Sequence, residues 1–157
     1  MSQAQLFYSF LAIIAGIAVP ILASINAAYG QAIGNVNYAS LTLPVVAFLT
    51  ILLIIVVTRT EPPTLAEFGQ ASWWHFTAGC FFTVYVVAIT FVAPKIGVGN
   101  AIIFVVVAQI FTAVTIDHFG LFNAAVQHLD WKRALGIVFL IVGVALARST
   151  PSTAGGS

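Results

Sequence analysis

No charged side chain occurs before Arg59. A mostly apolar run of 58 uncharged residues has no soluble fold open to it, because a domain of this size leaves too much surface in water. The run is also too long for one membrane crossing, which takes about 20 apolar residues within a range of about 17–25. The polar, glycine-bearing stretch from Tyr29 to Asn37 reads as a turn. It divides the run into a span at 5–27 and a second at 38–58.

The rest of the chain extends the argument. Of 157 residues only nine are charged, five basic and four acidic; 61% are hydrophobic and the mean hydropathy is +1.10. Soluble domains carry about 25% charged residues. The composition excludes a soluble enzyme, a disordered chain and a nucleic-acid binder, which needs a basic face. In hydrocarbon only helices and closed barrels satisfy their backbone hydrogen bonds, and the apolar runs lack the alternation of barrel strands. The expected fold class is an all-α integral membrane protein, a bundle of five transmembrane helices, with the lipid bilayer as its surroundings.

Arg59, Glu61 and the prolines Pro62 and Pro63 form a hydrophilic loop that ends the second helix. A third span is expected at 72–93, entered by Trp73 and Trp74 as interfacial anchors. Pro94-Lys95 breaks the pattern before a fourth span at 98–116, and Asp117, His118 and Gly120 begin a polar segment that runs to Asp130. A fifth span is expected at 132–148, although only 14 uncharged residues separate Arg133 from Arg148. Flanking Lys and Arg side chains can snorkel, and Trp131 supplies an anchor. The tail, 149–157, is rich in Ser, Gly, Thr and Pro and is expected to be disordered. No basic residue forms the n-region of a cleaved signal peptide, so the first segment is expected to stay as a span.

Five spans put Arg59, Lys132 and Arg133 on one side and Lys95 and Arg148 on the other, three bases against two. So weak a bias barely sets orientation. The simple reading is an ordinary chain with its N-terminus inside; the sharper one is dual topology, with copies inserted both ways and paired as an antiparallel homodimer. A lone Cys80 allows neither an intrachain disulfide nor a CxxC metal site.

Helical angles show what each span presents. Ala12, Ala15, Gly16, Val19, Ala23 and Asn26 share one face of the first span. That face is either a helix-packing seam or, with Pro20 and Asn26, a polar pocket wall at membrane depth. In the third span His75, Gly79, Thr83, Val86 and Thr90 share one face and Trp74, Phe81 and Tyr85 another. The aromatic row reads as lipid contact or packing; facing a cavity, Trp74 and Tyr85 would hold an organic cation or aromatic solute by their ring faces. His75 reads as a solvated interfacial histidine rather than a proton relay. Gln109, mid-way along the fourth span, is either interhelical glue or a substrate contact. Gly136, Leu140, Gly143 and Ala147 make a small-residue seam for helix or dimer packing. Asp117-His118 is an acid–imidazole neighbour pair at a span end. With His128 its spacing fits no zinc pattern, so no metal is expected. No nucleophile–base constellation, phosphate loop or dinucleotide motif occurs, so neither an enzyme nor a cofactor is expected.

Several of these stretches together resemble the YdcZ-type branch of the drug/metabolite transporter superfamily. They are Gly16, Pro20 and Asn26; the Trp73-Trp74 pair; Pro94-Lys95-Ile96-Gly97; Gln109; Ile116-Asp117-His118-Phe119-Gly120-Leu121-Phe122; and Arg133 with Gly136, Gly143 and Val144. Asn123 stands where that pattern has a glycine, and Asn35 where serine is commoner. The resemblance covers roughly 8–147. It implies a multi-pass protein of the bacterial inner membrane, one half of a ten-helix transporter and therefore expected to pair. Small multidrug-resistance relatives exchange protons through a glutamate in the first span; here the first 58 residues hold no acid. The expected function is a homodimeric transporter of a small metabolite or organic ion. Asn26, Gln109, Trp74 and Tyr85 would line the path, and Asp117 and His118 would form a gate or coupling pair. A scaffold or auxiliary subunit, or a lipid-linked-precursor flippase component, is the alternative.

Overall fold

The computed structural model describes residues 2–148, all of whose regular structure is helical. It comprises α1 (Gln3–Ala32), α2 (Val36–Thr58), the short α3 (Leu65–Phe68), α4 (Ala78–Ile96), α5 (Val98–Phe119) and α6 (Trp131–Arg148). A 3-10 turn at Trp73–Thr77 leads into α4, and another at Leu121–Asn123 follows α5. Four helical stretches are long and apolar enough to cross a membrane: Gln3–Ala32, Val36–Thr58, Trp73–Ile96 and Val98–Phe119. The segment expected as a fifth span is a helix of 18 residues, but it carries Lys132, Arg133 and Arg148 and falls outside that set. The tail 149–157 lies outside the described residues.

The chain divides into two compact units, one through Val98 and one from Gly99. In the first, α1 and α2 are joined by a turn much tighter than the expected 29–37 loop. Gly34, at φ +67°, reverses the chain. Asn35 N–H donates to Gly30 O at 3.1 Å and Gly34 N–H to Gln31 O at 3.2 Å, the paired bonds of a Schellman closure. The Asn35 side chain then accepts from Asn37 N–H and Tyr38 N–H and so opens α2. A serine at this position would cap equally well, so the departure at Asn35 leaves the turn intact.

The break expected at Pro94-Lys95 falls at Gly97 instead. Proline removes one N–H but keeps φ in the helical range, so α4 runs through Pro94 to Ile96. Gly97, at φ +85° and ψ 143°, cannot continue a helix.

Within this unit α1, α2 and α4 all touch one another. Their shared core is built from small residues, Ala23, Ala27, Ala39 and Ala93, with Val86 and Ile89. A Cβ on Gly30 would lie 3.2 Å from Thr90 Cγ2 and 3.5 Å from Ala39 Cβ, so the three helices converge there. Burial is confined to the end near the 33–35 turn. Residues 3–18 of α1 and 45–58 of α2 are exposed throughout, which suits a hydrocarbon solvent. The stripe expected along α1 is therefore divided: Ala23 and Asn26 are buried, whereas Ala12, Ala15 and Gly16 are exposed and nothing lies within 4 Å of a Gly16 Cβ.

In the second unit α5 ends at Gly120, whose φ is +62°. Phe122 and Asn123 follow at φ +56° and +63°, left-handed positions for residues other than glycine. The glycine expected at Asn123 thus has a backbone reason, and asparagine is among the side chains that tolerate it best. The connector reaches Asp130, whose carboxylate accepts from Arg133 N–H at 2.8 Å and starts α6.

Candidate functional site

Two places gather polar groups, one in each unit. In the first, α1 and α4 bring Asn26 to Thr90, 64 positions apart, and the Asn26 side-chain amide donates to the Thr90 hydroxyl. That hydroxyl in turn donates to the Val86 carbonyl at 2.7 Å. Both residues are buried, Asn26 at 6% exposure and Thr90 at 1%. A polar pair taken out of water costs free energy unless it is bonded, and here each supplies the other. Two further hydroxyls, Ser40 Oγ and Tyr85 Oη, are buried with no hydrogen-bond partner among the described residues.

Thr90 also lines a cavity of about 310 Å³ that opens beside the 33–35 turn. Gly30 and Gln31 of α1 and Phe91 and Lys95 of α4 complete its polar and aromatic walls. The Lys95 ammonium lies 4.4 Å from the Phe91 ring centroid, a cation–π contact that holds a positive charge at the mouth.

The expected path residues fare differently. Asn26 is buried against Thr90 and reaches the cavity only through that partner. Tyr85 lies on α4 with its hydroxyl buried, whereas Phe81 of the same aromatic row is 73% exposed and faces outward. Trp74 sits sixteen residues before Thr90, in the 3-10 turn, with its ring 3.8 Å from that of His75. It therefore belongs to the opposite end of the span from the Asn26–Thr90 pair. Gln109 is exposed on α5. Of the packing seam, Gly136 borders a groove with Ile110, Val114 and Leu140, while Gly143 and Ala147 are exposed.

The second place is the end of α5. Asp117 Oδ2 lies 2.8 Å from Arg133 Nη2 of α6, with both side chains about one-third exposed at 32% and 35%. Gln127 N–H donates to the Asp117 carbonyl at 2.9 Å, and Arg133 Nη1 donates to the Gln127 carbonyl at 3.4 Å. His118 Nδ1 accepts from Leu129 N–H at 3.1 Å, and its ring stands 5.5 Å from that of His128. Asp117 and His118 are adjacent but do not serve each other; each binds a different partner across the connector. An apolar cavity of about 200 Å³ lies against His118, walled by Phe111, Phe119, Leu129 and Ile137.

Thr90, Ser40, Lys95 and Arg133 were not singled out from sequence as site residues. Thr90 shared a helix face with Val86, which was legible, but its partner was not. Arg133 read only as a flanking base.

Comparison with curated proteins found no match, and neither did comparison with solved structures. A family model described as "Putative inner membrane exporter, YdcZ" matches residues 7–146, nearly the whole chain. With its several apolar helices this is a multi-pass inner-membrane protein, and the chain belongs to the YdcZ family.

Proposed function

We propose that the protein exports a small organic solute from a polar centre in its first unit and that it works as a homodimer of five-span protomers. The observation that carries the reading is the buried Asn26–Thr90 pair set among alanines beside a cavity. Small residues let backbones approach, and Ala23, Ala27, Ala39 and Ala93 make up much of the core around this polar spot. Ser40 Oγ and Tyr85 Oη have hydrogen-bonding capacity that no group among the described residues uses. A solute in passage would satisfy it. Lys95 at the cavity mouth favours a solute with a negative group, since it is the cavity's charged side chain.

Each protomer would be one half of a ten-helix assembly, with α6 as the fifth span. Its 18 residues rise about 27 Å, close to the hydrocarbon thickness of about 30 Å, and Lys132, Arg133 and Arg148 can snorkel at the two ends. Exposed Gln109, Gly143 and Ala147 then face a second copy, where a glutamine in hydrocarbon finds a partner. Trp74 serves the far end of the path, and Asp117, Arg133 and His118 form the gate.

Whole-cell efflux decides the matter. Cells that express the protein should release one or more metabolites into the medium above the level of empty-vector cells, as read by mass spectrometry. The Asn26→Leu variant should insert normally and lose that release. Equal release by variant and wild type would remove Asn26 from the path, and no excess release by either would favour a scaffold.

A further inference from the structure

The connector between α5 and α6 crosses back over the end of α5 and is tied by three contacts. Two involve no imidazole: Gln127 N–H donates to the Asp117 carbonyl at 2.9 Å, and Arg133 Nη1, itself paired with Asp117, donates to the Gln127 carbonyl at 3.4 Å. The third is the bond from Leu129 N–H to His118 Nδ1. An imidazole nitrogen accepts a hydrogen bond only while it holds a lone pair, so this bond requires neutral His118 with its proton on Nε2. A second proton on the ring must go to Nδ1, where it would meet the Leu129 N–H head-on, donor against donor.

We propose that residues 120–130 form a proton-sensitive strap, latched by Leu129 N–H on His118 Nδ1 and released when His118 takes a proton. The surroundings make release productive. The His128 ring, 5.5 Å away on the strap itself, adds like-charge repulsion once both imidazoles are charged. The other charged groups here are Asp117 on α5, Asp130 at the strap's end, and Lys132 and Arg133 on α6; Asp117, Asp130 and Arg133 bond one another and the backbone. The strap begins with three left-handed residues within four positions, Gly120, Phe122 and Asn123. Phe122 in that region is strained, and unlatching lets the turn relax. Leu129 and His118 both wall the apolar cavity at the end of α5, so release also uncovers it.

The proposal deepens the gate named above and rests on that reading for its part in export, but the latch can be read without any solute. The full chain in lipid nanodiscs is followed by hydrogen–deuterium exchange at about pH 8 and about pH 5, with rates corrected for intrinsic pH dependence. The Leu129 amide should exchange roughly two- to tenfold faster at the lower pH, the range expected for one hydrogen bond. In His118→Asn the amide oxygen takes the place of Nδ1 and does not titrate, so exchange should stay slow at both pH values. In His118→Ala it should be fast at both. Equal protection of the wild type at the two pH values overturns the strap. So does a pH dependence that survives in His118→Asn, which would assign the response to His128. Normal latch behaviour without solute release would leave the strap standing and discard the exporter reading.

Discussion

At Thr90 one hydroxyl does two jobs: it receives the Asn26 amide and gives its proton to the Val86 carbonyl. Replacement of Asn26 by leucine therefore strands only a lone pair, and the loss should fall near the lower end of the membrane range of about 0.6–2 kcal/mol. Efflux, which depends on the polar group itself, should fall much further than stability. Gly30 is the sharper steric test. A Cβ there would lie 3.2 Å from Thr90 Cγ2, and a branched side chain has no room. Gly30→Val should lower unfolding stability in a denaturant titration by about 1–3 kcal/mol. Gly16→Ala, with open space around it, should be neutral or raise stability by up to about 1 kcal/mol through helix propensity. Equal effects at the two glycines would mean that α1 does not pack as described.

The elements are set by their ends. Asn35 closes α1 through its N–H and opens α2 through its side chain. Thr64 and Glu67 form a capping box at α3, with Thr64 N–H donating to Glu67 Oε2 at 2.7 Å and Glu67 N–H to Thr64 Oγ1 at 3.3 Å. The backbone bond from Thr64, followed by that from its hydroxyl, pulls the fully exposed Glu67 carboxyl below its ordinary value. A carboxylate whose folded pKa is depressed stabilises the folded form above the unfolded value, and that contribution disappears as pH falls through the folded one. The α3 turn should thus hold at neutral pH and fray only below the ordinary glutamate range. Amide exchange at Glu67 and Phe68 should rise there, and Thr64→Ala should shift that rise to higher pH. An exchange profile unchanged by Thr64→Ala would dissociate the box from the turn.

Across the whole molecule, apolar surface faces outward on nearly every helix; Leu6, Phe48, Val57, Phe81 and Phe139 are all more than half exposed. A bilayer or a second copy must cover it. For the proposed five-span protomer, a bias of three bases to two leaves orientation nearly free. For an antiparallel pair, C-terminal reporter fusions should give signal from both membrane faces, and crosslinking in native membranes should trap a dimer. A signal confined to one face would exclude dual topology.

The sequence alone determined the solvent. With 58 uncharged residues before Arg59, the bilayer, the helices and most of the span limits follow from hydrocarbon length and backbone hydrogen bonding. It also marked Asn26, Gln109, Trp74, Tyr85, Asp117 and His118 as candidate path and gate residues. Their partners were illegible, because Thr90 is 64 positions from Asn26 and Arg133 is 16 from Asp117, distances over which periodicity carries no information. Proline misled at Pro94 because a last helical turn tolerates it, whereas Gly97 ends the helix through its positive φ. Tertiary structure alone decided which half of the α1 stripe is core. Burial depends on where a second helix passes, and the face of a single helix records only what it offers.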